Sequence, residues 1–197
     1  MDTPNTPAPF HMLPPRGISV RDLKKGSALF RQGDVSTAMF FIQSGAISLM
    51  RHTEAGQKVT MFQAMSGDTI AEPSIFSQTN HCDAIADQDS VVLGFDKPAV
   101  LSCMATDTAF AAALVKRLAG QVQTYRRRLE LLAIRSAPDR VLAGLADGRL
   151  TGTVVEFAAE LGLSHEAVYR ALSDLVESGQ VARPARGQYR VQPKDQD

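Results

Sequence analysis

Residues 154–172 read Val154-Val155-Glu156-Phe157-Ala158-Ala159-Glu160-Leu161-Gly162-Leu163-Ser164-His165-Glu166-Ala167-Val168-Tyr169-Arg170-Ala171-Leu172. Two short helices that cross closely need a small residue at the crossing, a glycine in the turn and apolar residues on their inner faces. Ala158, Gly162, and Phe157, Leu161, Leu163, Val168 and Leu172 meet those needs in order. Ser164 can cap the second helix through its hydroxyl. His165, Glu166, Tyr169 and Arg170 are then left on the outward face near its start, the part of such a helix that enters a major groove. The stretch predicts a helix-turn-helix.

Downstream, Gly179 supplies a helix stop, and Val181-Ala182-Arg183 and Gln188-Tyr189-Arg190-Val191 read as two strands joined by Pro184-Ala185-Arg186-Gly187. That is a wing, with Arg183, Arg186 and Arg190 available for phosphate contacts. Upstream, Pro138 marks a break in helical pattern at Ala137-Pro138, and Asp147-Gly148-Arg149-Leu150-Thr151-Gly152 is a polar loop, with a short helix predicted between them over Arg140 to Ala146. Residues 138–197 are expected to form a winged helix-turn-helix that binds double-stranded DNA.

Between Asp107 and Arg135 there is no proline and one glycine, Gly120. Val115, Leu118, Val122, Tyr125, Leu129 and Leu132 advance by alternating steps of three and four, which is a heptad seam. Residues 107–137 are therefore expected to be a dimerisation helix, with those six residues at the interface. Ala111, Leu114 and Leu131 form a second apolar stripe that could pack on the N-terminal domain. The run Arg126-Arg127-Arg128 could touch DNA or an anionic effector, although such runs are more commonly a solvated helix face.

Toward the N-terminus the character changes to short apolar runs between turn residues. Ala28-Leu29-Phe30, Met39-Phe40-Phe41-Ile42, Ile47 to Arg51, Lys58 to Phe62 and Val91 to Phe95 are strand candidates. Gly33-Asp34, Ser44-Gly45 and Glu54-Ala55-Gly56-Gln57 separate them. Locally this reads as a meander, and so many short strands suggest a barrel or jelly roll with room for a small ligand. Pro4, Pro7, Pro9, Pro14 and Pro15 precede it and read as an extended arm, not as a signal peptide.

Composition sets the outer bounds. A chain of 197 residues with 44% hydrophobic content can hold one large core or two small ones. Its 21 basic residues balance 21 acidic ones, so bulk charge does not by itself argue for nucleic acid. Cys82 and Cys103 are too few for a disulfide framework and lack paired metal-ligand spacing, which fits a reducing cytoplasm. No nucleophile–base motif, phosphate-binding loop or zinc-ligand spacing argues for an enzyme, and no stretch is long and apolar enough to predict a membrane span.

The order Gly26, Leu29-Phe30, Gly33-Asp34, Phe40-Phe41-Ile42, Gly45, Ile47, Gly67-Asp68 and Ala71-Glu72 resembles the cyclic-nucleotide-binding domain of the cyclic-AMP receptor protein and FNR (CRP/FNR) superfamily. The resemblance runs over about residues 20 to 192, and the family order of sensor, long helix and reader matches the three segments. It implies an α+β fold: a β jelly-roll sensor over 18–106, the dimerisation helix, and the winged helix-turn-helix. It implies a homodimeric transcription regulator on a palindromic operator, with RNA polymerase as a further partner. Glu166 and Arg170 match base-reading positions of the family, suited to cytosine N4 and to guanine O6 and N7.

In family members that bind cyclic AMP, a glutamate takes the ribose hydroxyl and an arginine ten residues later neutralises the phosphate. Glu72 holds the first position, but Cys82 and Asp83 stand where the arginine and a small hydroxyl residue belong, and the helix positions that recognise adenine fall on Tyr125 and Arg126. These five residues are the expected effector pocket, for an unidentified small-molecule or redox signal and not cyclic AMP; no cofactor is assigned. His81 next to Cys82, with His11 and His52 elsewhere, keeps a haem-based gas or redox sensor of the same fold as an alternative. A cyclic-nucleotide-binding regulatory subunit without DNA binding is the alternative from another class. The signal is expected to bias the orientation of two reading heads about Ser136 to Asp139.

Overall fold

The computed structural model describes residues 6–52 and 56–193. Pro4, the turn residues Glu54 and Ala55, and the last four residues of the third segment lie outside them. Two compact units divide at Lys116/Arg117. The 107–137 stretch is thus shared between the units.

In the first unit the strands are β1 (Ile18–Leu23), β2 (Ala28–Phe30), β3 (Ala38–Ser44), β4 (Ala46–His52), β5 (Lys58–Met65), β6 (Thr69–Ile70), β7 (Asp83–Ala86) and β8 (Ser90–Asp96). They form two antiparallel four-stranded sheets, β1-β8-β3-β6 and β2-β7-β4-β5. This corrects the local meander: among these strands only β4 and β5 are neighbours both in sequence and in a sheet. The reason is burial. Met39, Phe40 and Ile42 hide both faces of β3, so β8 comes back to lie between β1 and β3. Gly45, at φ +94°, makes the switch from one sheet to the other, and any side chain there would run into Ser90.

Between the sheets lies a core of Leu29, Phe30, Phe40, Ile42, Ile47, Ala64, Ile70, Cys82, Ala84, Ala86 and Val92. The proline-containing arm is not simply extended. Phe10–Met12 form a 3-10 turn, Phe10 and Leu13 are buried, and Phe10 stacks on Phe95 with ring centroids 4.0 Å apart. A short helix without a sequence forecast, α1 (Lys97–Thr106), follows β8 and buries Val100. Asp107 then caps the long helix α2 (Thr108–Ala133), its Oδ1 accepting from the N–H groups of Ala109 and Phe110 at 2.9 and 3.0 Å.

The second unit holds the C-terminal part of α2, then α3 (Ala137–Ala146), α4 (Val154–Glu160), α5 (His165–Glu177), β9 (Val181–Ala185) and β10 (Gln188–Val191). Its core joins Leu131, Val141, Phe157, Ala158, Leu161, Val168, Leu172, Leu175 and Val181. Leu131, expected to face the barrel, instead packs into this core. Pro138 does not interrupt structure either. It sits in the first turn of α3, where a missing N–H costs nothing, and Ser136 caps that helix by accepting from the Asp139 N–H at 3.3 Å. Helix α3 therefore starts three residues before the forecast. Among the described residues no single helix is long and apolar enough to cross a membrane.

Candidate functional site

Two caps fix the ends of the helix-turn-helix. Thr153 and Glu156 form a reciprocal box: Thr153 N–H donates to Glu156 Oε2 at 2.7 Å and Glu156 N–H to Thr153 Oγ1 at 3.2 Å. Its Thr-x-x-Glu signature stands in the sequence ahead of the apolar run. Gly162 takes the left-handed turn at φ +62°, and Ser164 accepts the Ala167 N–H at 3.2 Å to begin α5. Ala158, Val168, Ala171 and Leu172 face inward and are buried.

Four side chains face outward as a consequence. His165, Glu166, Tyr169 and Arg170 are all exposed, Tyr169 by 50%. His165 Nε2 lies 2.8 Å from Glu166 Oε1. Glu166's own backbone N–H, and then the Ser164 hydroxyl, hold its carboxyl below the ordinary glutamate range. At neutral pH Glu166 is therefore an acceptor only.

The wing is tighter than forecast. Strand β9 runs on through Pro184 and Ala185, Gln188 pairs with Ala185, and only Arg186 and Gly187 remain as the turn. Gly187 has φ +77°. A two-residue hairpin favours positive φ, and Gly187 supplies it. Arg183 lies over the Tyr189 ring at 5.6 Å, so one wing cation is held by a neighbour while Arg186 stands exposed at the tip. Tyr169 and Ser173 of α5 and Arg183 and Tyr189 of the wing line a shallow groove of about 160 Å³.

Behind this face lies a charged chain that sequence reading did not find. Arg127 donates to Asp147 at 2.6 and 2.8 Å and to Glu130 at 2.8 Å; Arg149 contacts Asp147 and Glu160. Arg127 is therefore exposed yet ion-paired to two carboxylates of the second unit. The pairing of distant charges across a loop has no sequence period to reveal it.

Five of the six seam residues on α2 are exposed: Val115 by 60%, Val122 by 45%, Tyr125 by 39%, Leu129 by 66% and Leu132 by 38%. Leu118 is half-buried. An apolar row of that length on one helix is a surface that asks for cover.

The expected effector residues divide between the units. Glu72 opens a 3-10 turn (Glu72–Ile75) behind Ala71, which adopts φ +62°, and accepts the Thr69 hydroxyl at 2.5 Å. Cys82 is buried in the inter-sheet core, and that burial pushes its thiol up from the ordinary cysteine range. Its environment is the opposite of the one a redox-reactive thiolate needs. Asp83 accepts from Gln32 N–H at 2.8 Å and from Arg31 Nη1 at 3.3 Å, and the first of these contacts chiefly holds its carboxyl low. Tyr125 and Arg126 are exposed on the part of α2 that belongs to the second unit. His81 is exposed while Cys82 is buried, so the adjacent pair does not converge on one point. Among the described residues no group of three or more His, Cys, Asp or Glu side chains is placed to hold a metal ion.

Residues 20–107 match the family model of the cyclic nucleotide-binding domain, and residues 153–192 match that of a transcriptional regulator, the AbiEi antitoxin. Over 187 residues the chain is 27% identical to the cyclic AMP receptor protein of Thermus thermophilus, covering 87% of each. The chain is similar to regulators of the CRP/FNR superfamily along most of its length. It is also 24% identical to the fumarate and nitrate reduction regulatory protein of Escherichia coli K12, over 86% of this chain and 72% of that one. The structure of FixK2 from Bradyrhizobium japonicum shares the fold at a TM-score of 0.65 and 20% identity, covering 90% of this chain and 93% of that chain.

Cys82 and Asp83 stand where the resemblance places the contacts to a cyclic phosphate. A cyclic phosphate needs an unpaired cation beside it. Cys82, at the position expected to carry the cation, is a buried thiol, and the carboxylate of Asp83 is paired with Arg31.

Proposed function

We propose that this CRP/FNR-type regulator is a homodimer that binds a palindromic DNA operator, reading bases with α5 and gripping phosphates with its wing. The observation that carries the reading is the outward face of α5: Ser164 caps the helix, and His165, Glu166, Tyr169 and Arg170 stand exposed beside a wing bearing Arg183 and Arg186. Glu166 accepts from cytosine N4, Arg170 grips guanine O6 and N7, and the wing arginines contact phosphates. The exposed seam from Val115 to Leu132 pairs with its copy to form the two-fold.

In this reading residues 18–106 are the sensor, 107–137 the dimerisation segment and 138–197 the reader. The signal is a small molecule other than cyclic AMP, and the bound dimer engages RNA polymerase in the cytoplasm. Titration of a mixed-sequence duplex of roughly 30 base pairs, about three helical turns, at several salt concentrations tests the premise. The expected result is binding by two chains per duplex with affinity falling linearly in log salt. No binding at any salt would overturn it.

A further inference from the structure

The wing meets α5 along a groove, and the register of the wing's two strands shapes it. Ala185 pairs with Gln188 and Ala182 with Arg190, so Arg183 and Pro184 of β9 together face Tyr189 of β10. Two residues against one make a β-bulge, a device that leaves one residue outside the ladder and re-aims a side chain. Pro184 has no N–H to pair and suits that position. At the bulge the Arg183 guanidinium lies over the Tyr189 ring, 5.6 Å from its centroid.

The two residues differ in how firmly they are held. Tyr189 is half-buried and packs against the reader's core. Arg183 is exposed and has no hydrogen bond or ion pair among the described residues. Ordering a long exposed side chain on binding costs roughly twofold to tenfold in affinity. A ring that already carries the guanidinium meets part of that cost in advance, and stacking leaves the N–H edge free to grip an anion.

Tyr169, Leu172, Ser173 and Val176 complete the groove from α5, at about 160 Å³. Leu172 and Val176 are apolar, the Ser173 hydroxyl is turned to Glu177 at 3.5 Å, and Arg183 is the one charged residue of the lining. Tyr169 lies one helical turn from Glu166 and next to Arg170, so the groove adjoins the face assigned to base reading. It is far below the roughly 300 Å³ where small-molecule pockets begin. An unpaired guanidinium beside a base-reading helix fits an anion that arrives with the bases, and a backbone phosphate accepts such a fork in bidentate fashion.

We propose that this groove seats one phosphate of the DNA backbone on Arg183, and that Tyr189 is the positioning residue that holds Arg183 for it. The site rests on the DNA reading proposed above, to which it adds a residue that acts through another.

Fluorescence anisotropy with a labelled mixed-sequence duplex of roughly 30 base pairs, about three helical turns, tests it at several salt concentrations. The full-chain parent is compared with Arg183→Ala, Tyr189→Leu, Tyr189→Phe and the Arg183→Ala/Tyr189→Leu double variant. Arg183→Ala is expected to lower the salt slope by about one, the share of a single phosphate. Tyr189→Leu is expected to weaken binding by roughly twofold to tenfold in the parent and to add no further loss in the Arg183→Ala background. Tyr189→Phe, which keeps the ring, is expected to match the parent. Damage to the fold by Tyr189→Leu would instead weaken binding in both backgrounds alike. An unchanged slope in Arg183→Ala, equal losses from Tyr189→Leu in both backgrounds, or Tyr189→Phe as weak as Tyr189→Leu would each overturn the site while the parent still binds DNA. A parent that binds no duplex at any salt would overturn the DNA reading itself, and the site with it.

Discussion

Arg140 donates through Nε and Nη2 to the carbonyl of Ile134, at 2.9 and 2.5 Å, and through Nη1 to the carbonyl of Leu161 at 3.1 Å. One guanidinium thus ties the chain leaving α2 to the end of α4, just before the turn of the helix-turn-helix. Leu131 packs in the same core, and Arg127 is paired with Asp147. The end of α2 and the reader are one body. Ser136 to Asp139, where the sequence suggested a hinge at Ala137-Pro138, form the capped first turn of α3.

Arg140→Ala removes three hydrogen bonds from a charged donor and leaves two carbonyls without it. Such bonds are worth about 1.5–3 kcal/mol net. Urea unfolding of the full chain is expected to show a loss of that size, with Arg140→Lys intermediate. An unchanged midpoint would contradict the tie.

Gly162→Ala places a side chain at φ +62° and brings its Cβ within 2.9 Å of Leu132 Cδ2. The Leu132 tip can shift, so the backbone dominates, at about 1–2 kcal/mol. Differential scanning calorimetry is expected to show the reader's transition lowered by several degrees.

Asp83 gives a pH dependence with a definite sign. Its folded carboxyl lies below the ordinary aspartate value, held first by Gln32 N–H and then by Arg31. Its contribution is fully present above the unfolded value of about 3.9 and is lost as pH falls through the lower folded value. Asp83→Asn is therefore expected to be less stable than the parent at about pH 6, with the gap closing toward about pH 3. Parallel urea midpoints at all pH values would contradict this.

Tyr125→Arg puts like charges against each other if the seam forms the proposed two-fold. The dimer dissociation constant is expected to rise by about tenfold or more, equivalent to about 1.4 kcal/mol. Sedimentation equilibrium measures it, and an unchanged constant would contradict the seam's register.

Much of this was legible in the sequence, for identifiable reasons. The α+β fold, the Ala158–Gly162–Ser164 turn and the α2 row follow from residues with strict local demands: a small crossing residue, a positive φ, a cap, a fixed period. What stayed hidden depends on contacts distant in sequence. The return of β8 between β1 and β3, the burial of Phe10 on Phe95, the assignment of Leu131 to the reader and the Arg127–Asp147 pair have no spacing that announces them. Pro138 misled for a different reason: proline breaks a helix interior but starts a helix equally well.

The most direct test is sequence selection from random duplex DNA with the purified full chain, followed by measurement of the selected site against random duplex. The expected product is an inverted repeat, its half-sites about one helical turn apart. Glu166→Ala and Arg170→Ala should each then lose about 1–3 kcal/mol of discrimination at their own base positions, while Arg183→Ala should weaken all sequences alike and lower the salt slope by about one. A direct or unsymmetric site, or discrimination unchanged by both α5 variants, would contradict a two-fold reader that uses this helix.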